Sequence, residues 1–341
     1  MKAPLRIALA GLGTVGAEVA RQIILEQETL ATQAGRAITI AAVCARDPAK
    51  DRGVDLSTVA WADKPDDLVM RPGVDVVVEL MGGADGAALN LARAALTAGK
   101  PLITANKAML AAHWGELFDL SGRYHAPLMF EASVCGGIPI IKVLREGLAG
   151  NRITRIEGIL NGTCNYILTT MDATGRAFDD VLKEAQDKGY AEADPTLDVD
   201  GWDAAHKLTI LAKLAFDARI TTDAISVSGI RSITPESLKK ARASGMTIRL
   251  IGRAEKNASG LALSVAAVHL PLDHPLAAVG GAMNAVSIKA EPVDICTLIG
   301  PGAGAGPTAS SVLSDIVDTV SYTHLRAHET KANLVCRLLL E

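Results

Sequence analysis

The sequence predicts an α/β protein in two parts: a parallel sheet wound with helices over residues 1–135, then a second, α+β domain over residues 136–298. Three observations carry this. An apolar run, Leu5 to Ala10, leads into GLGTVG and then into a helical stripe of Val15, Val19, Ile23 and Ile24. Further short apolar runs follow, with a helical stretch between two of them, as parallel strands joined by crossovers require. Beyond about residue 150 the pattern changes to a mixed block of strand-like runs and amphipathic stretches.

Leu5 to Ala10 reads as a buried parallel strand, because strands covered on both faces are apolar throughout. In the glycine run, Gly11 permits the tight turn, Gly13 lets a pyrophosphate approach backbone N–H groups, and Gly16 lets the helix pack closely on the strand. Leu12, Thr14 and Val15 complete that loop. A lone GxGxxG is weak, but here a strand precedes it and a helix follows. A second strand, Ile38 to Val43, completes a βαβ unit of Rossmann type that would bind a dinucleotide. Val74 to Glu79 and Pro101 to Thr104 read as further strands, with Leu89 to Ala98 as the helix between them. Such sheets bind ligands at the carboxyl ends of their strands, which singles out Thr104 and Lys107; an ordinary helix-start lysine accounts for Lys107 equally well.

Cofactor choice is read at the end of the second strand, where an acidic residue would favour the ribose of NAD. AVCARDP instead places Arg46 there, with Asp47 beside it and Lys50 and Arg52 beyond. Arg46 can pair with a 2′-phosphate, which favours NADP. NAD is the alternative, since solvated surface charge explains the same residues.

Leu128 to Glu131 followed by ASVCGGIPI reads as a strand and a pinned turn, and Ile138 to Leu144 opens the next element. The runs from Ile153 to Leu160, Ile225 to Ile230, Thr247 to Ile251 and Leu261 to Val268 read as strands of a second sheet. Asn165 to Thr174 and Gly201 to Phe216 read as amphipathic helices. The stretch from Leu298 reads as a flexible glycine loop, and residues 299–320 as that loop with a helix returning to the first domain. Glycine N–H groups without side chains in the way, as at Gly302 and Gly304, suit a phosphate or amide. A plain linker and helix is the other reading.

Between these elements AQDKGYAEADPTLDVDGWDAAHK, residues 185–207, gathers Glu192, Asp194, Asp198 and Asp203 ahead of Lys207. In a helix Asp203 and Lys207 stand one turn apart on one face, near enough to share a proton-transfer task. A solvated i,i+4 salt bridge has the same spacing.

With 341 residues, 49% of them hydrophobic, the chain can bury the cores of two domains. A net charge of −4 argues against nucleic acid or an anionic membrane as partner, and 3% aromatic residues leave no stacking platform for single strands. Cys44, Cys135, Cys164, Cys296 and Cys336 are odd in number and lack CxxC spacing, which fits a reducing cytoplasm better than a disulfide framework or zinc cluster. The N-terminal apolar run is too short for a membrane span and has no cleavage region after it. His113, His125, His206, His274 and His324 have no companions at metal-ligand spacing.

Six motifs converge on one family: GLGTVG at 11–16, TANKAML at 104–110, EASVCGGIPI at 131–140, ILNGTCNYIL at 159–168, GYAEADPTLDVDGWDAAHK at 189–207 and GPGAGAGPTAS at 300–310. Over about residues 5 to 320 the chain resembles homoserine dehydrogenase, and the 189–207 block keeps every spacing of the family signature. The resemblance implies reversible NAD(P)-dependent interconversion of L-homoserine and L-aspartate 4-semialdehyde, in the branch leading to threonine, methionine and isoleucine. It also implies that the second domain binds substrate and forms a homodimer.

Carried over position by position, the resemblance gives Lys207 the proton-transfer role at the substrate oxygen, with Lys107 as the second lysine and Asp203 as the carboxylate closest to Lys207. Glu192 holds the substrate amino group, Asp198 completes the pocket, and Asn161, Gly162 and Thr163 form the loop beneath. Gly11, Leu12, Gly13, Thr14, Val15, Gly16, Arg46, Thr104, Lys107, Gly302 and Gly304 hold the cofactor. The family also holds a monovalent cation, usually sodium. The matching positions are Glu131, Val134, Gly136 and Ile138, mostly through backbone oxygens, a set that suits a hard ion and implies no transition metal.

The chemistry asks for such groups independently. Negative charge develops on the carbonyl oxygen as hydride reaches the aldehyde carbon, so cations aimed at that oxygen lower the barrier. A charged lysine is already a competent acid in the reductive direction. Paired lysines favour the neutral amine and Asp203 favours the ammonium, a balance the sequence does not set. Cys164 has no basic neighbour in sequence and reads as a small packer rather than a nucleophile. Two rival classes bear on the same residues. An oxidoreductase for another semialdehyde would keep GLGTVG without the spacing of Glu192, Asp198 and Lys207, and a regulatory dinucleotide-binding protein would bind cofactor without turnover.

After Asp318 and Thr319 the resemblance stops. SYTHLRAHETKANLVCRLLLE resembles a translated sequencing adapter, so residues 321–341, with His328 and Cys336, read as a non-native tail. Many family members continue instead into a small ACT domain that senses threonine. Met1, close before the first strand, favours a monofunctional enzyme over one preceded by a kinase domain.

Overall fold

The computed structural model describes residues 2–320, and the readings of 321–341, His324, His328 and Cys336 lie outside them. The described residues divide into two compact units: 2–109, 113–130 and 309–320 form one, and 110–112 with 131–308 form the other. The sequence reading puts the breaks after 135 and after 298. The differences have local causes. Glu131 opens a turn of the second unit, where its carboxylate accepts the N–H groups of Ile141 and Lys142, both at 2.8 Å. At the other end a strand continues to Pro301. Among the described residues no helix is long and apolar enough to cross a membrane.

The first unit runs β1 (Leu5–Ala10), α1 (Thr14–Leu25), α2 (Gln27–Ala34), β2 (Ile38–Cys44), β3 (Ala60–Trp61), α3 (Asp67–Met70), β4 (Val76–Glu79), α4 (Ala87–Thr97), β5 (Leu102–Thr104), α5 (Lys107–Arg123) and β6 (Leu128–Met129). Its six strands lie in the order β3-β2-β1-β4-β5-β6, all parallel. Ile7, Leu9, Val77, Leu102 and Ile103 are completely buried, as continuous apolar runs in a doubly covered sheet must be. α1 turns Val19, Ala20 and Ile23 inward, whereas of the stripe read from the sequence Val15 is half-buried and Ile24 exposed. Strand order reverses between β1 and β4, and the carboxyl ends of those two strands define the ligand-binding crevice of such a sheet.

In the second unit α6 (Ile140–Lys142) passes into a wider turn over Val143–Gly147, followed by β7 (Arg152–Ile159), α7 (Gly162–Thr174), α8 (Phe178–Asp187), α9 (Thr196–Val199) and α10 (Trp202–Phe216). Then come β8 (Ser226–Val227), α11 (Pro235–Ala243), β9 (Met246–Asn257), β10 (Gly260–Pro271), β11 (Met283–Glu291) and β12 (Asp294–Pro301). A last helix, α12, spans 305–320 and from 309 belongs to the first unit. The sheet order is β12-β11-β7-β9-β10-β8, antiparallel except where β8 joins β10 in parallel. α7 packs on β9 and β11, and α10 on β7, β9 and β10. Ile159, Ile251, Leu270, Leu276 and Ala285 form a core cluster of this unit.

Several elements differ from the sequence reading. The stretch from Leu298 is strand up to Pro301, so the glycine loop begins later. β11 and β12 escape an apolar-run search, because buried Asn284 and Ser287 interrupt the first and the second is a half-exposed edge strand. Only Ser226–Val227 of the run from Ile225 to Ile230 is strand. α8 and α11 go beyond the reading, although Phe178, Val181 and Ala185 keep helical spacing and Thr234 forms a capping box with Ser237.

The glycine run separates packing from open space. A Cβ on Gly16 would lie 2.0 Å from the Gly11 carbonyl oxygen, and one on Gly11, whose φ is +95°, would lie 2.6 Å from that of Leu80. A Cβ on Gly13 meets nothing within 4 Å. Gly16→Ala is expected to destabilise the protein by about 1–3 kcal/mol through overpacking against backbone. Gly13→Ala is expected to cost less than about 0.5 kcal/mol. Urea unfolding of both variants beside the parent checks the contrast.

Candidate active site

The first unit supplies a crevice with an ordered floor. Leu80 N donates to Ala10 O at 2.7 Å, joining the ends of β4 and β1. No side chain caps α1, and Gly13 at its N-terminus opens on free space. That is a cradle which a phosphate can fill and a side chain would block. Thr14 is exposed and Val15 half-buried, whereas Leu12 and Gly16 are buried and shape the loop from behind. The residues present therefore fit a dinucleotide.

Arg46 stands exposed two residues beyond β2. Arg52 has a role the sequence reading misses: its Nε donates to Leu12 O at 3.1 Å and its Nη1 to Lys50 O at 2.6 Å. Its guanidinium also lies 5.6 Å from the centre of the Trp61 ring. Arg52 thus ties the loop after β2 to the glycine loop.

Glu79, at the end of β4, is fully buried. It accepts Met81 N at 2.7 Å and the Thr104 hydroxyl at 2.6 Å. The Thr104 oxygen accepts Asn106 N at 3.0 Å, and Asn106 caps α5 by accepting Met109 N at 3.1 Å while donating to Gly83 O at 2.7 Å. Lys107 follows as the first, half-buried residue of α5. Thr104 is fully buried with its hydroxyl bonded to Glu79 and Asn106, so its side chain orders the loop that leads to Lys107. The sequence signal for Glu79 was an acid closing the apolar run VDVVVE.

In the second unit the residues read from the 159–168 and 189–207 motifs come together. Asn161 caps α7 by accepting Cys164 N at 2.8 Å. Its Nδ2 donates to Asp198 Oδ1 at 2.7 Å and to Asp203 Oδ2 at 2.8 Å. Lys207 Nζ reaches the same Asp203 oxygen at 2.8 Å and the carbonyl of Leu160, also at 2.8 Å. The Lys207 and Asp203 side chains are each only 11% exposed, which rules out the solvated surface bridge. An ammonium has three N–H donors, so two fixed partners leave one to point at a ligand. Thr163 donates to Tyr190 O at 2.6 Å and so pins the start of the acidic loop.

Burial alone would push the Lys207 ammonium down; the charge and hydrogen bond of Asp203, with Asp198 behind it, outweigh that and hold it above the ordinary lysine range. The neighbouring Cys135 thiol is itself pushed up by burial and stays neutral. Burial, reinforced by Asp198 and Asp203, pushes the Cys164 thiol well up, and its sulfur donates to Asp198 O at 3.1 Å. It is an inert packer. Glu192 is exposed and stands outside the buried hydrogen-bonded set, with only its backbone oxygen accepting from Gln186, at 3.1 Å.

Glu131, Val134, Gly136 and Ile138 lie in one turn, all buried, with left-handed φ at Cys135 (57°) and Gly136 (48°). Each Glu131 oxygen accepts one N–H from α6. A carboxylate among backbone carbonyls is an all-oxygen set, the kind that suits a hard monovalent ion. Among the described residues no cluster of His, Cys, Asp and Glu is set up for another metal. Gly302 is buried, and Gly304 is exposed with φ +107°.

Comparison with known proteins gives this geometry its family. Residues 11–131 match the model described as homoserine dehydrogenase, NAD binding domain, and residues 139–317 match the model described as homoserine dehydrogenase. The homoserine dehydrogenase of Neisseria gonorrhoeae is 45% identical over 315 residues, spanning 92% of this chain and 72% of the relative. A solved homoserine dehydrogenase from Thiobacillus denitrificans has a TM-score of 0.89 at 42% identity, covering 93% of this chain and 73% of that one. A hyperthermophilic archaeal homoserine dehydrogenase in complex with NADPH has a TM-score of 0.78 at 29% identity, covering 92% of this chain and 97% of that one. The glycine cradle and the Asp203–Lys207 centre both lie inside the matched segments, and the chain belongs to the homoserine dehydrogenase family.

Proposed function

We propose that this chain interconverts L-homoserine and L-aspartate 4-semialdehyde with a nicotinamide dinucleotide, and that Lys207 carries the proton. The observation that carries this reading is the buried Lys207–Asp203 pair, braced by Asn161 and Asp198 and keeping one ammonium N–H for a ligand. A bound nicotinamide supplies or accepts the hydride at the substrate carbon. In reduction Lys207 gives its proton to the substrate oxygen as negative charge gathers there, and in oxidation it must first have lost that proton. Asp203 and the Leu160 carbonyl aim the ammonium. Glu192 is left to meet the substrate amine, over a floor made by Asn161, Gly162 and Thr163, with Lys107 as a second cation.

The cofactor is read as lying on Gly11, Leu12, Gly13, Thr14, Val15 and Gly16, with Gly302 and Gly304 contributing backbone N–H groups. NADP is favoured over NAD because Arg46 is exposed where a 2′-phosphate would lie, and because a relative was solved with NADPH. Sodium would be held by Glu131, Val134, Gly136 and Ile138, where it supplies fixed charge and order rather than redox chemistry. The first unit serves the cofactor and the second serves substrate and homodimer formation, in the cytoplasm.

The reading is tested by incubating the protein with L-aspartate 4-semialdehyde and NADPH or NADH in parallel. Oxidation of either cofactor supports it, and none from a folded, cofactor-binding sample overturns it. Lys207→Ala is expected to lower kcat about 100-fold or more, the worth of a positioned acid–base group, with the circular dichroism spectrum retained. Because Asp203 holds Lys207 charged above the usual range, reduction should stay near its maximum through neutral pH. Homoserine oxidation should climb with pH up to and beyond about 10, where an ordinary lysine loses its proton. Initial rates in both directions check the sign. Arg46→Ala is expected to raise the KM for NADPH about tenfold or more, the value of one charge-assisted hydrogen bond, while leaving that for NADH nearly unchanged.

A further inference from the structure

Asn284 lies in β11 with no exposed surface. Its Nδ2 donates to the Leu160 carbonyl at 3.0 Å and lies 3.4 Å from Cys135 Sγ. The Leu160 oxygen is the one that accepts the Lys207 ammonium at 2.8 Å, so a single backbone carbonyl gathers both donors. The other end of the amide is in want: Asn284 Oδ1 is buried and has no hydrogen-bond partner among the described residues. Rotating the amide would set that oxygen against the Leu160 oxygen, so its orientation is decided. A leucine would fill a similar volume without burying an unsatisfied oxygen. What asparagine adds at this position is the N–H on Leu160.

The surrounding backbone makes room for that amide. A Cβ on Gly302 would lie 2.0 Å from Asn284 Cγ, and one on Gly162 would lie 3.3 Å from Oδ1. A Cβ on Gly136 would in turn lie 2.6 Å from Gly302 O, and Gly137 N donates to Pro301 O at 3.0 Å. The amide is therefore clasped between the segment after β7 and the segment after β12, and the 135–137 turn packs on the latter.

We infer that Asn284 is a positioning residue for proton transfer: its N–H fixes the Leu160 carbonyl, and that carbonyl with Asp203 fixes the direction of the Lys207 ammonium. The inference rests on Lys207 as the proton-transfer group. Without Asn284 the carbonyl is free to tilt, Lys207 keeps only Asp203 as a firm anchor, and its third N–H loses its aim. The clash at Gly302 follows from the same amide, so this glycine is required by Asn284 whatever ligand it also meets.

The test compares Asn284→Leu and Asn284→Ala with the parent, using the full chain, L-homoserine and whichever nicotinamide cofactor the parent prefers. Both variants are expected to lose kcat about 10- to 100-fold, the scale of a misplaced catalytic group. KM for homoserine and the Kd of the reduced cofactor, followed by its fluorescence, should stay within about twofold. A packing role makes the opposite forecast: leucine, which keeps the volume, would restore what alanine loses. Parent-like kcat in Asn284→Leu would overturn the inference even if Asn284→Ala fails to fold. Equal loss in kcat from a leucine variant that melts no lower than the parent would support it. A parent chain without turnover would overturn the Lys207 reading and this inference with it.

Discussion

The second unit is organised around a lysine ammonium and a carboxylate held out of water. Taking either ion into the interior costs several kcal/mol, and their attraction offsets this only where the remaining donors and acceptors are also satisfied. The arrangement meets that condition for all but the one ammonium N–H left for a ligand, with groups from three places in the chain: the Leu160 carbonyl after β7, the Asn161 amide at the start of α7, and Asp198 in α9. Removing any one leaves a buried charge less well held. This explains why Asn161, a helix cap by its oxygen, spends its nitrogen on two carboxylates rather than on solvent. It also explains why α10 begins at Trp202 behind a left-handed glycine, which sets Asp203 in the first turn and Lys207 one turn later.

The first unit solves a different problem with a similar economy of parts. Its crevice must stay open to an anionic ligand while the strand ends that form it stay fixed. Gly13 supplies the opening and Gly11 the close approach to Leu80, and buried Glu79 ties Met81 to Thr104, whose oxygen meets Asn106. Arg52 does the same on the other side by linking Leu12 to the 47–50 loop. None of these residues need touch a ligand to matter. They place those that do.

Much of this was legible in the sequence. The βαβ start, the parallel strands and the Asp203–Lys207 spacing follow from short-range patterns, and the family resemblance joins them to a reaction. What escaped has a common cause. Glu79 finds Thr104 25 residues away, Arg52 finds Leu12 40 residues away, and Asn284 finds Leu160 124 residues away. Periodicity and spacing report neighbours along the chain, and these contacts exist only once the sheets have formed. β11 was missed for a related reason: the polar residues that interrupt its apolar run, Asn284 and Ser287, are buried because they have partners elsewhere in the fold. Thr104 is singled out in the sequence because it ends a strand, and its bond to Glu79 shows only in the fold.

The most direct measurement is the titration of Lys207 itself, followed by NMR in protein carrying labelled lysine, with the resonance assigned by its loss in Lys207→Arg. The ammonium should persist to a pH above that at which ordinary lysines titrate, near about 10.4, because Asp203 and Asp198 outweigh the effect of burial. A midpoint below that of the surface lysines, with a neutral amine already present near neutral pH, would contradict the view that the buried ion pair holds the proton for transfer.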